Sequence, residues 1–142
     1  MGLSRDEMDR IVNEHFGFEA RDDVDGVMAS LAPEVEHEVV PSPMGVLHDR
    51  GEVRAYYEML FGAVKGESVT PIRRLYGEDF IVDETMWHGR IVDGAVFLCA
   101  GKSGPVSFRL LHVFELEGGK ITREAAWCDL AAIQRQLGVA PR

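Results

Sequence analysis

The order of periodicities along the chain predicts an α+β fold, helices first and strands after. Apolar residues recur at helical spacing over most of the stretch from Met8 to Val64, and they alternate over most of the remainder. The closing segment adds a hairpin: Leu110, His112, Phe114 and Leu116 alternate, Gly118-Gly119 supplies positive φ angles for a tight turn, and Ile121 to Cys128 runs back.

Each element follows in order. Ser4 with Glu7 three residues on is a capping box, after which Met8, Ile11, Val12, His15 and Phe16 form one apolar helical face. Asp22-Asp23 breaks and re-caps the chain. A second helix then turns Val24, Val27, Met28 and Leu31 inward and is expected to stop at Pro33. Val35 to Val40 alternates as a short strand, and Pro41 to Gly45 reads as a loop. Asp49 with Glu52 is a second capping box. It opens a helix with Val53, Tyr57, Leu60, Phe61 and Val64 on one face, which points Tyr56 away. Lys65 to Ser68 reads as a linker. Strands are expected at Val69 to Tyr76, Phe80 to His88, Ala95 to Ala100, Val106 to Leu116 and Ile121 to Cys128, and a last helix from Leu130 capped by Asp129.

The 142 residues suit one domain, 1–142, which at this size buries about 70% of its unfolded surface. No apolar run approaches the ~20 residues of a membrane span. Met-Gly-Leu-Ser-Arg-Asp-Glu lacks the basic and apolar regions of a signal peptide, so a cytoplasmic location is expected. Cys99 and Cys128 fit either a disulfide or two buried thiols, and the second suits a cytosolic protein. The net charge of −9, with 24 acids against 15 bases and Arg73-Arg74 as the one adjacent basic pair, argues against nucleic acid or anionic membrane as partner. No ligand spacing such as His-x-x-x-His or Cys-x-x-Cys points to a metal, and no cofactor is expected.

The run Phe114 to Asp129 followed by Gln136-Leu137-Gly138 resembles the closing segment of the SnoaL-like branch of the nuclear transport factor 2-like superfamily. There a strand ending in "hvFel", a "GKI" turn, "WxD" and "QLG" recur together. Gly51-Glu-Val-Arg-Ala-Tyr-Tyr57 is similar to the third helix of that family. The resemblance implies a cone-shaped, cystatin-like α+β barrel: a strongly curved, mostly antiparallel sheet wrapped around the N-terminal helices, with an apolar pocket at its open end. A two-fold homodimer through the convex sheet face, carrying Arg109, Leu111, Val113, Met86 and Trp127, is common in the family and expected here.

Strand parity selects the residues facing such a pocket. Phe108, Leu110, His112, Phe114 and Leu116 form an apolar set interrupted by one histidine. On Phe80 to His88 hydrophobicity does not separate the two faces, and the resemblance puts Asp83 and Trp87 inside. His15, His37 and Tyr57 join them from apolar stripes, and Ala126 shares its parity with Glu124 and Cys128. The expected catalytic set is His112, Asp83, His15 and Tyr57; Trp87, His37, Phe108, Phe114 and Ala126 would line the substrate. Each has a plainer alternative. His37 reads first as a satisfied core histidine, and Tyr57 and Trp87 as amphipathic core residues. A buried Asp83 needs a partner or a function, and His112 alone interrupts its face.

The known chemistries of the fold meet gaps in this chain. The polyketide cyclases carry an acid/base aspartate where Ala126 stands. The limonene-type epoxide hydrolases would need an aspartate there too, and an Arg-x-Asp pair at Thr85 and Trp87. The ketosteroid isomerases match Asp23-Val-Asp-Gly-Val27. On that register their oxyanion tyrosine falls at His15, their base at Val39, their protonated aspartic acid at His112 and a supporting tyrosine at Tyr57. Two functions follow: a cofactor-free acid/base enzyme (isomerase, dehydratase or cyclase) on an apolar polyketide- or steroid-like carbonyl compound, or a ligand-binding or protein-association domain without turnover.

Overall fold

A computed structural model describes residues 2–139. The elements in chain order are α1 (Arg5–Ala20), α2 (Val24–Ser30), β1 (Leu31–Val40), β2 (Val46–Leu47), α3 (Arg50–Ala63), β3 (Val64–Tyr76), β4 (Phe80–Ile91), a 3-10 turn (Gly94–Phe97), β5 (Gly104–Glu117), β6 (Lys120–Cys128) and α4 (Leu130–Gln136). The strands form one curved sheet in the order β2-β1-β6-β5-β4-β3, antiparallel except for β1 beside β6.

Caps set the helix starts as their side chains require. Ser4 and Glu7 exchange hydrogen bonds with each other's backbone, and Asp23, Asp49 and Asp129 each accept an N–H from the first turn of α2, α3 and α4. Gly118 and Gly119 take φ of 57° and 81° in the β5–β6 turn, a region costly for a side chain.

Helix α2 ends at Ser30, before Pro33, which lies inside β1 where the pairing with β6 skips register between Leu31 and Glu36. Lys65 to Ser68 is no linker: α3 runs directly into β3 at Val64. That strand is the exposed sheet edge, so its polar sequence carries no burial signal. Ala95 to Ala100 is not a strand either. Asp93 accepts from Ala95 N and opens the 3-10 turn, which closes with Leu98 at φ 58°. Cys99 and Cys128 are both free thiols, and Cys99 lies outside any strand.

Met8, Ile11 and Val12 of α1, Val27 of α2 and Val53, Tyr57 and Phe61 of α3 pack on Val35, Ile81, Phe114, Leu116 and Ile121 of the sheet. Fully burying each such aliphatic or aromatic side chain contributes about 1.5–3 kcal/mol. A second apolar cluster, built on Ile91, Phe97, Val106, Phe108 and Ile133, closes the other end of the sheet. Among the described residues, no helix is long and apolar enough to cross a membrane.

Candidate functional site

The ladder builds the concave wall in rows. His37, Glu124, Phe114, Ile81 and Tyr76 stand side by side across β1, β6, β5, β4 and β3. The next inward row is Val39, Ala126, His112, Asp83 and Arg74, then Cys128, Leu110, Thr85 and Pro71, then Phe108, Trp87 and Val69. The charged and imidazole side chains therefore lie in the first two rows, interspersed with apolar ones, and the wall turns mostly apolar beyond them. These rows and helices α1 and α3 enclose a cavity of about 980 Å³, at the upper end of what small-molecule sites occupy.

Glu124, 2% exposed, is the centre of the polar end. His15 Nε2 lies 3.1 Å from its Oε2, Tyr57 donates its hydroxyl proton to Oε1, and His112 Nε2 is 3.7 Å from Oε2. The protonation states follow from counting protons. Ser30 has one hydroxyl proton and donates it to the Val27 carbonyl at 2.6 Å, so at 2.7 Å from His15 Nδ1 its oxygen accepts. Nε2 faces carboxylates on both sides, Glu124 and, at 2.6 Å but off hydrogen-bond geometry, Glu19. Both ring nitrogens of His15 thus carry protons. Burial opposes this charge, but the Glu124 and Glu19 carboxylates outweigh it and raise the pKa from 6.5 to about 10. Burial likewise opposes ionisation of Glu124, and His15 overcomes it, holding the carboxyl well below its usual range.

Tyr57 uses its one proton on Glu124, so its oxygen accepts from His37 Nε2–H at 3.1 Å. Burial pushes the Tyr57 hydroxyl well above 10 and His37 below 6.5. The polar end is therefore a buried His15–Glu124 ion pair, a neutral Tyr57 and His37, and His112. The ring of His112 stacks on Phe114 (5.2 Å, 3°) and meets the edge of Phe16, and its Nδ1 is buried with no protein partner.

Asp83 faces His112 across the β4–β5 ladder, but the two are not hydrogen-bonded to each other. Asp83 Oδ1 accepts from Arg74 Nε at 2.8 Å, and Arg74 Nη1 donates to Asp9 of α1, also 2.8 Å. Tyr76 donates to the same Asp9 oxygen; burial raises the Asp9 carboxyl, but the Arg74 and Tyr76 hydrogen bonds and the Arg74 and Arg5 charges together outweigh it and hold Asp9 below the ordinary carboxylate value. The clasp ties the edge strand β3 to α1. Asp83 Oδ2 remains buried without a partner.

The structure brings His112, Asp83, Tyr57, Trp87, His37, Phe108 and Ala126 onto the cavity wall. His15 and Phe114 lie behind it, both fully buried: His15 meets the cavity through Glu124 and Glu19, and Phe114 backs His112. Tyr56, expected to point away, is 7% exposed and on the wall, because α3 is enclosed on more than one side. Glu124 is the member that the sequence reading left out. Its signal was available: it shares parity with Ala126 and Cys128 on an inner strand face.

His15, Glu19 and Glu124 are the one group among the described residues close enough to hold a metal, within 4.8 Å of one another. With Nδ1–H given to Ser30, an ion there would have to displace the Nε2 proton that joins the two carboxylates. Cys128 also reaches the cavity, but burial raises its thiol to about 11, which leaves a poor nucleophile.

Among solved structures, a protein from Jannaschia sp. CCS1 described as a SnoaL-like polyketide cyclase superposes with TM-score 0.80 at 18% identity, covering 99% of each chain. TsrD from Streptomyces laurentii gives 0.79 at 23% identity over 97% of this chain and 99% of that one. An LEH-like epoxide hydrolase from M. tuberculosis gives 0.70 at 21% identity over 92% and 89%. At these identities the likeness is one of fold. No curated protein matches significantly. A family model, the SnoaL-like domain, matches residues 12–124, which spans α1 through most of β6 and includes every polar group around Glu124. With the fold and that match in agreement, the chain belongs to the SnoaL-like domain family.

Proposed function

We propose that the protein is a cofactor-free acid/base enzyme that isomerises, dehydrates or cyclises an apolar carbonyl compound of polyketide or steroid type. One observation carries this reading: His112 stands on the cavity wall with Nε2 beside the ionised Glu124 and Nδ1 free of any protein partner. The carboxylate faces one nitrogen of the ring, and the other, free nitrogen can exchange a proton with a ligand. His15 and Tyr57 position Glu124, and Asp83 completes the polar end. The cyclase and epoxide hydrolase names among the structural relatives support small-molecule chemistry on this scaffold.

The test is proton exchange at the carbon beside a carbonyl. With 2-tetralone in D2O, His112 would remove the α-proton and return a deuteron, and NMR would show catalysed loss of the α-proton signal. Exchange no faster than buffer across a panel of such ketones would sink the enzyme reading. It would leave the second one, a binding domain, which is favoured by the inert Ala126 and Val39 on the cavity wall where cyclases and isomerases keep carboxylates.

The Ala126 site has its own expected result. Ala126 is 7% exposed and lies directly opposite His112. Ala126→Asp would bury a carboxylate near Glu124, so its folded pKa should rise above the unfolded value of ~3.9 and ionisation should cost about 1–3 kcal/mol. A raised acid pKa makes the loss grow with pH, so urea unfolding should show a larger loss at pH 8 than at pH 5. Equal stability to the parent at both pH values would overturn the inward placement.

The protein pairs, in this reading, as a two-fold homodimer through the convex sheet face. Trp127 is 37% exposed there, with Leu111, Val113 and Met86 half-buried and Arg109 exposed beside Met86. Such a patch is too apolar to stand bare. Sedimentation at micromolar concentration should give twice the chain mass; a monomer would end this proposal.

A further inference from the structure

Helix α3 carries two adjacent tyrosines on the cavity wall, and they are not equivalent. Tyr57 has spent its hydrogen-bonding capacity inside the protein, its proton on Glu124 and its oxygen on His37 Nε2–H. The hydroxyl of Tyr56 has no hydrogen-bond partner among the described residues. It is also not one of the atoms buried without a partner, so its open side faces the cavity that the residue lines. The neighbours of Tyr56 place that hydroxyl. Its ring packs on His37 (centroids 5.2 Å apart) and on Tyr57 (5.9 Å). His37 pairs with Glu124 across β1 and β6, and Ala126, next on the same face of β6, pairs with Val39 on one side and His112 on the other. Glu124 and Cys128, on either side of Ala126, are among the groups whose charge acts on the Tyr56 hydroxyl. Tyr56 and His112 thus flank the floor at Ala126, one from the helix and one from the sheet.

A base acting beside a carbonyl needs a donor at the oxygen. When His112 takes the α-proton, the C–H electron pair becomes the second bond between the α-carbon and the carbonyl carbon, and the carbonyl π pair moves onto oxygen as an enolate. That oxygen gains charge in the transition state, where a fixed donor is worth most. The other donors of the polar end are turned elsewhere. His15 gives its protons to Ser30 and Glu124, His37 gives Nε2–H to Tyr57, and Arg74 is clasped between Asp83 and Asp9. The Trp87 indole lies two rows beyond His112, between Phe108 and Val69. Burial pushes the Tyr56 hydroxyl well above its ordinary 10, so it keeps a proton to share. We infer that Tyr56 is a catalytic residue, the hydrogen-bond donor to the ligand's carbonyl oxygen, seated across Ala126 from His112. Its hydrogen bond strengthens as the charge grows, and its proton stays on the phenol throughout. This rests on the carbonyl reading of the cavity.

The experiment pairs 2-tetralone with tetralin, the same ring system without the oxygen, and measures binding of each by equilibrium dialysis to the wild-type chain and to Tyr56→Phe. The variant loses one oxygen and keeps the ring on His37 and Tyr57, so tetralin affinity should stay within about 2-fold, which also reports an intact fold. The ratio of 2-tetralone to tetralin affinity should fall about 5-fold or more, the worth of the hydrogen bond that the carbonyl loses. In deuterium exchange of 2-tetralone the variant should be about 10²–10³-fold slower. That loss should fall mainly on kcat, because charge builds on the oxygen only as the proton leaves. A ratio unchanged in Tyr56→Phe overturns the donor, whatever the exchange rate, and leaves the enzyme reading to its own test. A wild type that exchanges no proton while the ratio falls sinks the enzyme reading and keeps Tyr56 as donor to a bound ketone. Binding of neither probe by the wild type overturns both. Should Tyr56→Phe fail to fold, the carbonyl infrared stretch of 2-tetralone on the wild type decides: it should lie below its position in cyclohexane, and an unshifted band overturns the donor.

Discussion

Replacing Glu124 with alanine should destabilise the protein by about 3–5 kcal/mol, the cost of breaking a buried ion pair from one side. The loss has two sources. The His15 imidazolium would keep only Glu19, whose oxygen is off the N–H direction, and the Tyr57 hydroxyl would lose its acceptor. The pH dependence separates this from simple loss of packing. The folded pKa of His15 is raised from 6.5 to about 10, so the stability it contributes is present in full below about 6.5 and disappears as pH rises through 10. Glu124 is held below its ordinary 4.5, so its contribution is present above that value and is lost as pH falls through the lowered one. The wild type should therefore be steadiest between about pH 4.5 and 6.5 and weaken toward pH 10. The alanine variant should be flatter over the alkaline limb, since its His15 has lost the main cause of the upward shift. Chemical unfolding at pH 6 and pH 9.5 measures both. A cost under about 1 kcal/mol, or a wild type of equal stability at the two pH values, would contradict the ion-pair assignment. Glu124→Gln should fall between, because its oxygen still accepts from Tyr57 while its amide requires His15 to give up the Nε2 proton.

How much of this was legible in the sequence depends on which force fixes each element. Caps are local chemistry, so Ser4, Asp49 and Asp129 marked helix starts correctly without reference to the rest of the chain. Strands buried on one face were legible through alternation, as in β5 and β6. The edge strand β3 was only half legible. With one neighbour and an exposed surface, nothing forces Lys65 to Ser68 to alternate. The stretch Ala95 to Ala100 failed for the opposite reason: its apolar residues pack as a turn, and the decisive signal was Asp93 rather than the hydrophobic run.

The site divides in the same way. Parity on β5 and the family register on β4 brought His112, Asp83 and Trp87 to the cavity, because a sheet face is a one-bit choice. Glu124 obeyed the same parity and was passed over, since a charged residue in a strand reads first as solvent-facing. Only tertiary structure supplies the cation that makes its burial tolerable, from His15, 109 residues away in sequence. Asp83 and His112, two members of the expected catalytic set, turn to separate partners, Asp83 to Arg74 and His112 to Glu124. Arg74 lies on the strand whose lower half had been read as linker.

His112→Ala should lower the rate of any proton transfer in the cavity by about 10²–10⁴-fold, the usual worth of one positioned acid or base. The fold should survive. His112 borders an existing cavity, so truncation enlarges open space instead of creating a sealed void, and the packing lost is chiefly the stack on Phe114 and the edge contact with Phe16. A thermal melt close to the parent, with turnover lost, is the expected pair of results for α-deuterium exchange of 2-tetralone. The loss should fall on kcat more than on KM, because His112 acts when the proton moves while the apolar wall of Trp87 and Phe108 holds the ring. His112→Phe keeps the stack on Phe114 and removes both nitrogens, so it separates chemistry from packing: it should be as inactive as the alanine variant and melt nearer the parent. If either variant exchanges protons at the parental rate, His112 is not the base. The remaining carboxylate with an unpartnered oxygen on the wall, Asp83, would then carry the proton, and Asp83→Asn should be the variant that stops exchange.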